Sequence, residues 1–547
     1  MNKKFTTILS AIGLSIATLP LFAQMSSNPV FPGDFSDPGV FRVGDDYYAV
    51  RSTFGWQPGL HIIHSKDLIN WEYIGHAFDG DNEVEIPTGE VFGGIWGSDM
   101  VYNPNTKKFM VYAPIYSNPK TKAIYVFTSD TPEGPYSKGV KILDQDIDPG
   151  IFIDDDNFIY LSSKASMIYK LTPDGLKIEE EVSRVGSNDG KAFGEGAEIV
   201  KKNGYYYYTC SEGGTLPYEH HKVLSFRSKS LKGPWEPDPT NPVKYSPHTE
   251  RAAIQGPGHG ELIHTQNGEW YMTYHTYELN YATLARQMCL EPVIWTSDGW
   301  WRPKYGKIPP VEFETPNLPK SDIRLNQSDS FDGASKLAPQ WFFHTKPDYS
   351  GVAWSLTDNK NSLRIKNYSG DRDMTQTLER FMLQSIVGKD FELSTKLSFA
   401  SKNEGEMAGL LLYTNMENFV QYGLTTINGE RMLQVKLKYG AFDKFKGVCK
   451  PNSGKYLSVA TLPYDGDNVY LKLKVVNPES AYFQYSKDGK NWEDMGNTEI
   501  FFGRGGMPDL GWQHTFWTGA TQGLFIDSQS AQTSGGYADF EYFNAVR

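Results

Sequence analysis

The sequence predicts an all-β protein: a five-bladed β-propeller followed by a C-terminal β-sandwich. Two observations carry this. From about residue 30 to 300, a turn containing Asn, Asp or Gly precedes an aromatic-rich strand, and a further strand follows. The pattern occurs five times at a period of roughly 50 to 60 residues, near the blade length of propellers. Beyond a proline-punctuated stretch at 303–330 the runs instead alternate apolar and polar residues, as strands with one buried face do.

At 547 residues the chain is too long for one ordinary core, so two domains are expected. Aromatic residues make up 14% of it, including 33 Tyr and 13 Trp, which favours β-structure and planar or sugar-like ligands. The formal charge of −12 and the lack of any basic run argue against nucleic acid or an anionic membrane as partner. Three widely spaced cysteines, Cys210, Cys289 and Cys449, form neither a disulfide framework nor a metal-binding spacing.

Residues 1–23 read as a secretory signal: Lys3 and Lys4, an apolar stretch, then Leu21-Phe22-Ala23 before Gln24. No cysteine follows the expected cut, so no lipid anchor is indicated. The apolar stretch is too short for a membrane span and no other candidate span exists. Export with few cysteines suggests a secreted or periplasmic bacterial enzyme.

The five units follow in order. Asp45-Asp-Tyr-Tyr-Ala-Val leads to Leu60-His-Ile-Ile-His-Ser and Trp71-Glu-Tyr-Ile. Asn105-Thr-Lys-Lys-Phe-Met-Val-Tyr leads to Ala123-Ile-Tyr-Val-Phe-Thr-Ser, and Asp156-Asn-Phe-Ile-Tyr-Leu to Met167-Ile-Tyr-Lys-Leu. Asn203-Gly-Tyr-Tyr-Tyr-Tyr-Thr leads to Lys222-Val-Leu-Ser-Phe-Arg-Ser. In the fifth, Gln266-Asn-Gly-Glu-Trp-Tyr-Met-Thr-Tyr is followed by two expected strands, Ala285-Arg-Gln-Met-Cys-Leu and Pro292-Val-Ile-Trp. The propeller is assigned to 24–320 and the sandwich to 321–547, with strands such as Phe391-Glu-Leu-Ser-Thr-Lys-Leu-Ser-Phe and Val469-Tyr-Leu-Lys-Leu-Lys-Val-Val.

Three carboxylates stand at strand entrances beside Gly or Pro: Asp37 in Ser-Asp-Pro-Gly, Asp148 in Asp-Pro-Gly-Ile, and Glu195 in Glu-Gly-Ala-Glu. Asp-Pro and Asp-Gly pairs also form ordinary turns. Three acids at matching places in a repeat, however, would converge on the propeller axis. Glycosidic cleavage needs an acid for the leaving oxygen and a carboxylate to activate water or attack, and a third acid can tune the first. Spacing alone leaves the roles open.

At these residues the chain resembles glycoside hydrolase family 43, especially its two-domain β-xylosidase and α-L-arabinofuranosidase members. Further matching pieces are His64-Ser-Lys-Asp-Leu-Ile-Asn-Trp71, Gly256-Pro-Gly-His259-Gly, and the run from Leu284 through Arg286 to Trp300. In the sandwich they are the segment from Glu406 to Asn418 and Phe516-Trp-Thr-Gly-Ala-Thr-Gln-Gly-Leu. The resemblance implies an exo-acting, inverting, single-displacement hydrolase releasing terminal xylose or arabinofuranose from plant-polysaccharide fragments. Asp37 would be the general base, Glu195 the general acid with Glu198 as rival, and Asp148 the modulator of the acid's pKa. Glu195 and Glu198 would face opposite sides of an extended strand.

Arg286 would donate to sugar hydroxyls. His259 would lie near the axis under the sugar, beside water or an ion; calcium is the family's candidate, although no Asp/Asn-rich calcium loop is visible. No cofactor is required for the chemistry. Trp56 and Trp96 would stack on sugar, and Phe516, with Trp517 as rival, would reach from the sandwich to close the pocket. Two departures stand out: Trp96-Gly-Ser-Asp99 replaces the usual Trp-Ala-Pro, which puts a polar group where specificity is set, and Ala197 stands where Pro is common. The alternatives are another furanoside or galactoside specificity on this scaffold, or a noncatalytic sugar-binding protein with a degenerate site.

Overall fold

The computed structural model describes residues 24–80, 84–89, 93–118, 121–164, 166–186, 194–215, 220–246, 252–279, 281–371, 373–440, 442–443, 448–449, 453–477, 480–500, 517–528 and 532–547. Residues 1–23, expected to be a leader, and Phe516 lie outside them.

Among the described residues, five successive antiparallel sheets occupy 39–303. The strands that meet around the axis, one from each sheet, are Gly39–Val43, Asp99–Asn103, Gly150–Ile153, Glu195–Lys202 and Ile254–His264. Each contacts the next, and the last returns to the first, so they close a ring about one axis. Hairpin chemistry sets these sheets: Asn203 and Gly204 both take positive φ (51° and 78°) between Glu195–Lys202 and Tyr205–Glu212, the two-residue turn that suits the twist of a hairpin. Strand Met25–Ser27 pairs with Glu312–Glu314, tying the start of the propeller to its end.

The fifth sheet differs from expectation. The two strands read at Ala285 and Pro292 are one, Gln287–Trp295. Pro292 lacks an N–H, yet its carbonyl still accepts from the Lys304 N–H at 2.9 Å, so the ladder passes through it.

The sandwich packs a seven-stranded sheet on a six-stranded one. Strand Phe391–Ser398 alternates buried and half-buried residues along its length, as its sequence suggested. The six-stranded sheet turns its outer face to the propeller: Phe381, Leu383, Met407, Leu411, Tyr413, Phe419 and Phe525 form one apolar cluster with Trp56 and Phe342. Backbone bridges Gly33↔Val387 and Gln57↔Phe343 join the two domains at this seam.

Candidate active site

The entrance to the ring is built from strained backbone. Asp37, Asp148 and His259 have φ of 53°, 50° and 50°, and Gly196 has 60°, so the first, third, fourth and fifth blades each enter through a left-handed residue. For non-glycine residues this conformation costs on the order of 1 kcal/mol each and persists where the surroundings fix it. At Asp37 and Asp148 the carboxylate that follows from this backbone lines the pocket. Glu195 precedes its left-handed glycine, and a bulge separates it from Glu198: Glu195 pairs with Ser211 and Glu198 with Thr209. The bulge cancels the alternation of a regular strand: the two partners lie two residues apart and share a face, so the expected opposite facing of the acids is not found, and they differ instead in depth, Glu198 being buried while Glu195 lines the pocket.

One pocket of about 380 Å³ is lined by Asp37, Phe54, Trp96, Gly97, Ile147, Asp148, Glu195, Thr215, Arg286 and Trp517. The geometry thus brings together the three acids, Arg286 and Trp96. Asp37 is the most heavily bonded of the acids. Arg286 Nη1 lies 2.7 Å from its Oδ1 and Ser52 Oγ donates to its Oδ2 at 2.6 Å. His275 Nδ1 is 3.0 Å from Oδ1 and 3.2 Å from the Asp37 backbone N; with a neutral ring, donation to the carboxylate is the charge-assisted choice. Burial pushes the Asp37 pKa up, but the Arg286 charge and the His275 bond outweigh it and hold the carboxyl well below the usual range. His275 is itself driven down to about 3, by burial first and then by Arg286, so it stays neutral.

Asp148 is tuned the opposite way. Burial, then the neighbouring Glu195 and Asp37, raise its pKa well above the ordinary value, against the opposing pull of Lys164 and the Gly196 N–H, which donates to Oδ2 at 3.1 Å. Space here is tight: a Cβ on Gly97 would lie 2.6 Å from Asp148 Oδ1 and 2.8 Å from His259 Cε1. Glu195 is the most open of the acids, its side chain 23% exposed, with Lys164 Nζ 3.3 Å away.

Several expected binding residues sit elsewhere. Trp56 is buried at the domain seam, its ring 4.3 Å from His344 and 5.3 Å from Phe342, because Gln57 exchanges both backbone hydrogen bonds with Phe343 and turns the loop into the sandwich. Phe54 takes the pocket wall in its place. His259 lies beneath the floor, 4% exposed and 3.7 Å from Asp37, beyond hydrogen-bond distance, and does not line the pocket. Among the described residues no group of three or more His, Cys, Asp or Glu side chains is arranged to hold a metal ion, so the residues near His259 do not form a protein-built ion cage. Asp99 does not reach the sugar pocket. It is buried and accepts the N–H groups of Ile151 and Met100, both at 2.6 Å, stitching the second blade to the third.

The expected closing residue Phe516 falls outside the described residues, but its rival Trp517 is in place. Its ring stacks on Phe54 (5.9 Å, 21°) and meets Trp96 edge-on (5.5 Å, 68°), and its Nε1 donates to Thr215 Oγ1 at 2.9 Å. Trp96 in turn lies flat on Tyr116 (4.7 Å, 9°). Sequence reasoning missed Ser52, Phe54, Lys164, Thr215 and His275. Hairpin register offers a signal for some of them. Gly39 pairs with Val50 and Gly150 with Ser162, so two residues outward Ser52 stands across from Asp37 and Lys164 across from Asp148.

Comparison with known proteins matches both domains. Residues 26–301 match the model of glycosyl hydrolases family 43, and 328–545 match the β-xylosidase C-terminal concanavalin A-like domain. The chain is 32% identical over 447 residues to a non-reducing end α-L-arabinofuranosidase of Bacteroides ovatus, covering 80% of this chain and 82% of that one. It is 31% identical to a xylan 1,3-β-xylosidase of a Vibrio species, covering 94% and 98%. Among solved structures, a xylan β-1,4-xylosidase of Bacillus halodurans superposes with a TM-score of 0.81 at 26% identity, over 95% of this chain and all of that one. Two matched domains and relatives aligned across both make the conclusion direct: the chain belongs to glycoside hydrolase family 43.

Proposed function

We propose that this protein is an exo-acting, inverting glycoside hydrolase that removes terminal xylose or arabinofuranose from plant-polysaccharide fragments. The observation that carries the reading is the asymmetry of the acids around one pocket: Asp37 is held ionised while Asp148 is pushed toward its protonated form. A carboxylate locked in its charged form is ready to take a proton from water. Asp37 is thus the general base, and the water it activates attacks the anomeric carbon.

Glu195, the acid with the greatest access to solvent, gives its proton to the departing oxygen. Asp148 sits between the two and acts as the modulator: its raised proton affinity keeps a second full negative charge away from Glu195 while the proton is handed over. Arg286 fixes Asp37 through Nη1 and lines the pocket, where its guanidinium is placed to donate to a sugar hydroxyl. Trp96, Phe54 and Trp517 wall the sugar, and the wall supplied from the sandwich favours a terminal residue over an internal one. The names of the relatives support xylose and arabinofuranose as the sugars. Every step uses protein carboxyls and water. The leader at 1–23 supports a secreted or periplasmic location.

The test is hydrolysis of a panel of aryl glycosides, β-xyloside and α-L-arabinofuranoside foremost. Turnover of one or both is expected. Sugar binding without turnover of any member would instead assign the chain to noncatalytic recognition.

A further inference from the structure

A second charged cluster lies outside the pocket and is not used by the chemistry above. Arg51 and Asp34 form a buried ion pair, Nη1 to Oδ2 2.8 Å, with side chains 0% and 3% exposed. The same Nη1 donates to the Asp34 carbonyl at 2.8 Å. Nη2 is 2.9 Å from His61 Nδ1 and donates to Ser385 Oγ, across the domain seam, at 3.2 Å. Burial and the nearby Arg51 hold His61 well below its ordinary pKa, so its neutral ring accepts from Arg51 while Nε2 donates to the Pro58 carbonyl.

Both members of the pair stand next to the machinery. Arg51 precedes Ser52, which donates to Asp37. Asp34 opens the segment that ends in Asp37. Its Oδ1 lies 2.9 Å from Ser36 Oγ, and that hydroxyl is 3.1 Å from the carbonyl of Trp517. Contact with the sandwich is close here: a Cβ on Gly519 would come within 3.1 Å of Asp34 Cβ.

A buried ion pair is a weak source of stability, since apolar residues of similar volume often do as well. The seam already has an apolar cluster around Trp56, which is non-directional, and backbone bridges at Gly33 and Gln57, which do not reach Trp517. Charge-assisted hydrogen bonds with fixed geometry set register. We propose that Arg51 and Asp34 are positioning residues: they register the sandwich against the propeller so that Asp37 and Trp517 reach the pocket together. The inference rests on the reading of Asp37 as base and Trp517 as pocket wall.

The test replaces both charges, Arg51→Met with Asp34→Leu, so that neither is left buried alone. Wild type and double variant are compared with and without Trp517→Ala, on the aryl glycoside the wild type turns over. The expected result is a near-normal melting temperature with kcat down about tenfold or more, the loss of one charge-assisted contact. Trp517→Ala should then cost far less in the double variant than in the wild type, because the wall is already displaced. A folded double variant with wild-type kcat and a full Trp517→Ala effect would overturn the proposal. If the double variant does not fold, Ser36→Ala gives the same decision: reduced kcat with a weakened Trp517→Ala effect supports the pair's role, and unchanged values refute it. An inactive wild type would instead fail the functional reading itself.

Discussion

Trp517 is the point where the second domain enters the pocket, and replacing it by alanine has consequences that the structure sizes. The indole lies on Phe54, meets Trp96 edge-on and bonds to Thr215. A pentose laid against it would cover roughly 80 Å² of apolar surface, worth about 2 kcal/mol at about 25 cal/mol per Å². That corresponds to about thirtyfold in kcat/KM. The wall touches the sugar before and during the reaction, so most of the loss belongs in KM and less in kcat. Trp517→Phe keeps a ring but loses the Thr215 bond and should recover most of the loss. Steady-state kinetics on an aryl glycoside, with melting curves to establish folding, read this directly. A Trp517→Ala enzyme within twofold of wild type would refute the claim that the sandwich completes the pocket.

Other expectations follow from the same geometry. Glu195→Gln should lower turnover of poor leaving groups by about 10²–10⁴-fold and of activated aryl glycosides much less; wild-type rates on natural oligosaccharides would move the acid to Glu198. Ser52→Ala removes the 2.6 Å donor to Asp37 and should raise the Asp37 pKa, moving the acid limb of kcat/KM upward; an unmoved limb would detach that limb from Asp37. Stability should fall as pH rises from about 4 toward 7. Burial pushes Asp99 up to about 7 and raises Glu198 and Glu261 well above the ordinary value, so in that window the folded chain binds protons that the unfolded chain has released. Melting curves at pH 5 and 8 test this, with Asp99→Asn expected to flatten the slope; a melting temperature that climbs from pH 5 to 8 would contradict it.

Much of the architecture could be read in advance because it rests on local chemistry repeated many times. Turn residues before aromatic strands mark the blades, and the alternation at Phe391–Ser398 marks the sandwich. The acids were legible because each sits in a repeated place beside Gly or Pro. What could not be read depends on contacts between distant segments. Trp56 has the sequence setting of a pocket aromatic, yet the Gln57–Phe343 bridge, nearly 290 residues apart in sequence, draws it into the seam. Asp99 resembled a specificity residue because nothing local reveals that its oxygens serve the Ile151 and Met100 amides. His275 and Ser52 carry no motif; hairpin register brings Ser52 to Asp37, and closure of the ring brings His275 from the fifth sheet. The Arg51–Asp34 pair is invisible for the same reason, since 17 residues and a hairpin separate its members.

The central claim is that Asp37 activates water rather than attacking the sugar. Proton NMR of the sugar anomer first released from a β-xyloside or α-L-arabinofuranoside tests it most directly. The account expects the inverted anomer, appearing before mutarotation mixes the two. A retained anomer would mean that a carboxylate attacks the anomeric carbon, and the role given to Asp37 would be wrong.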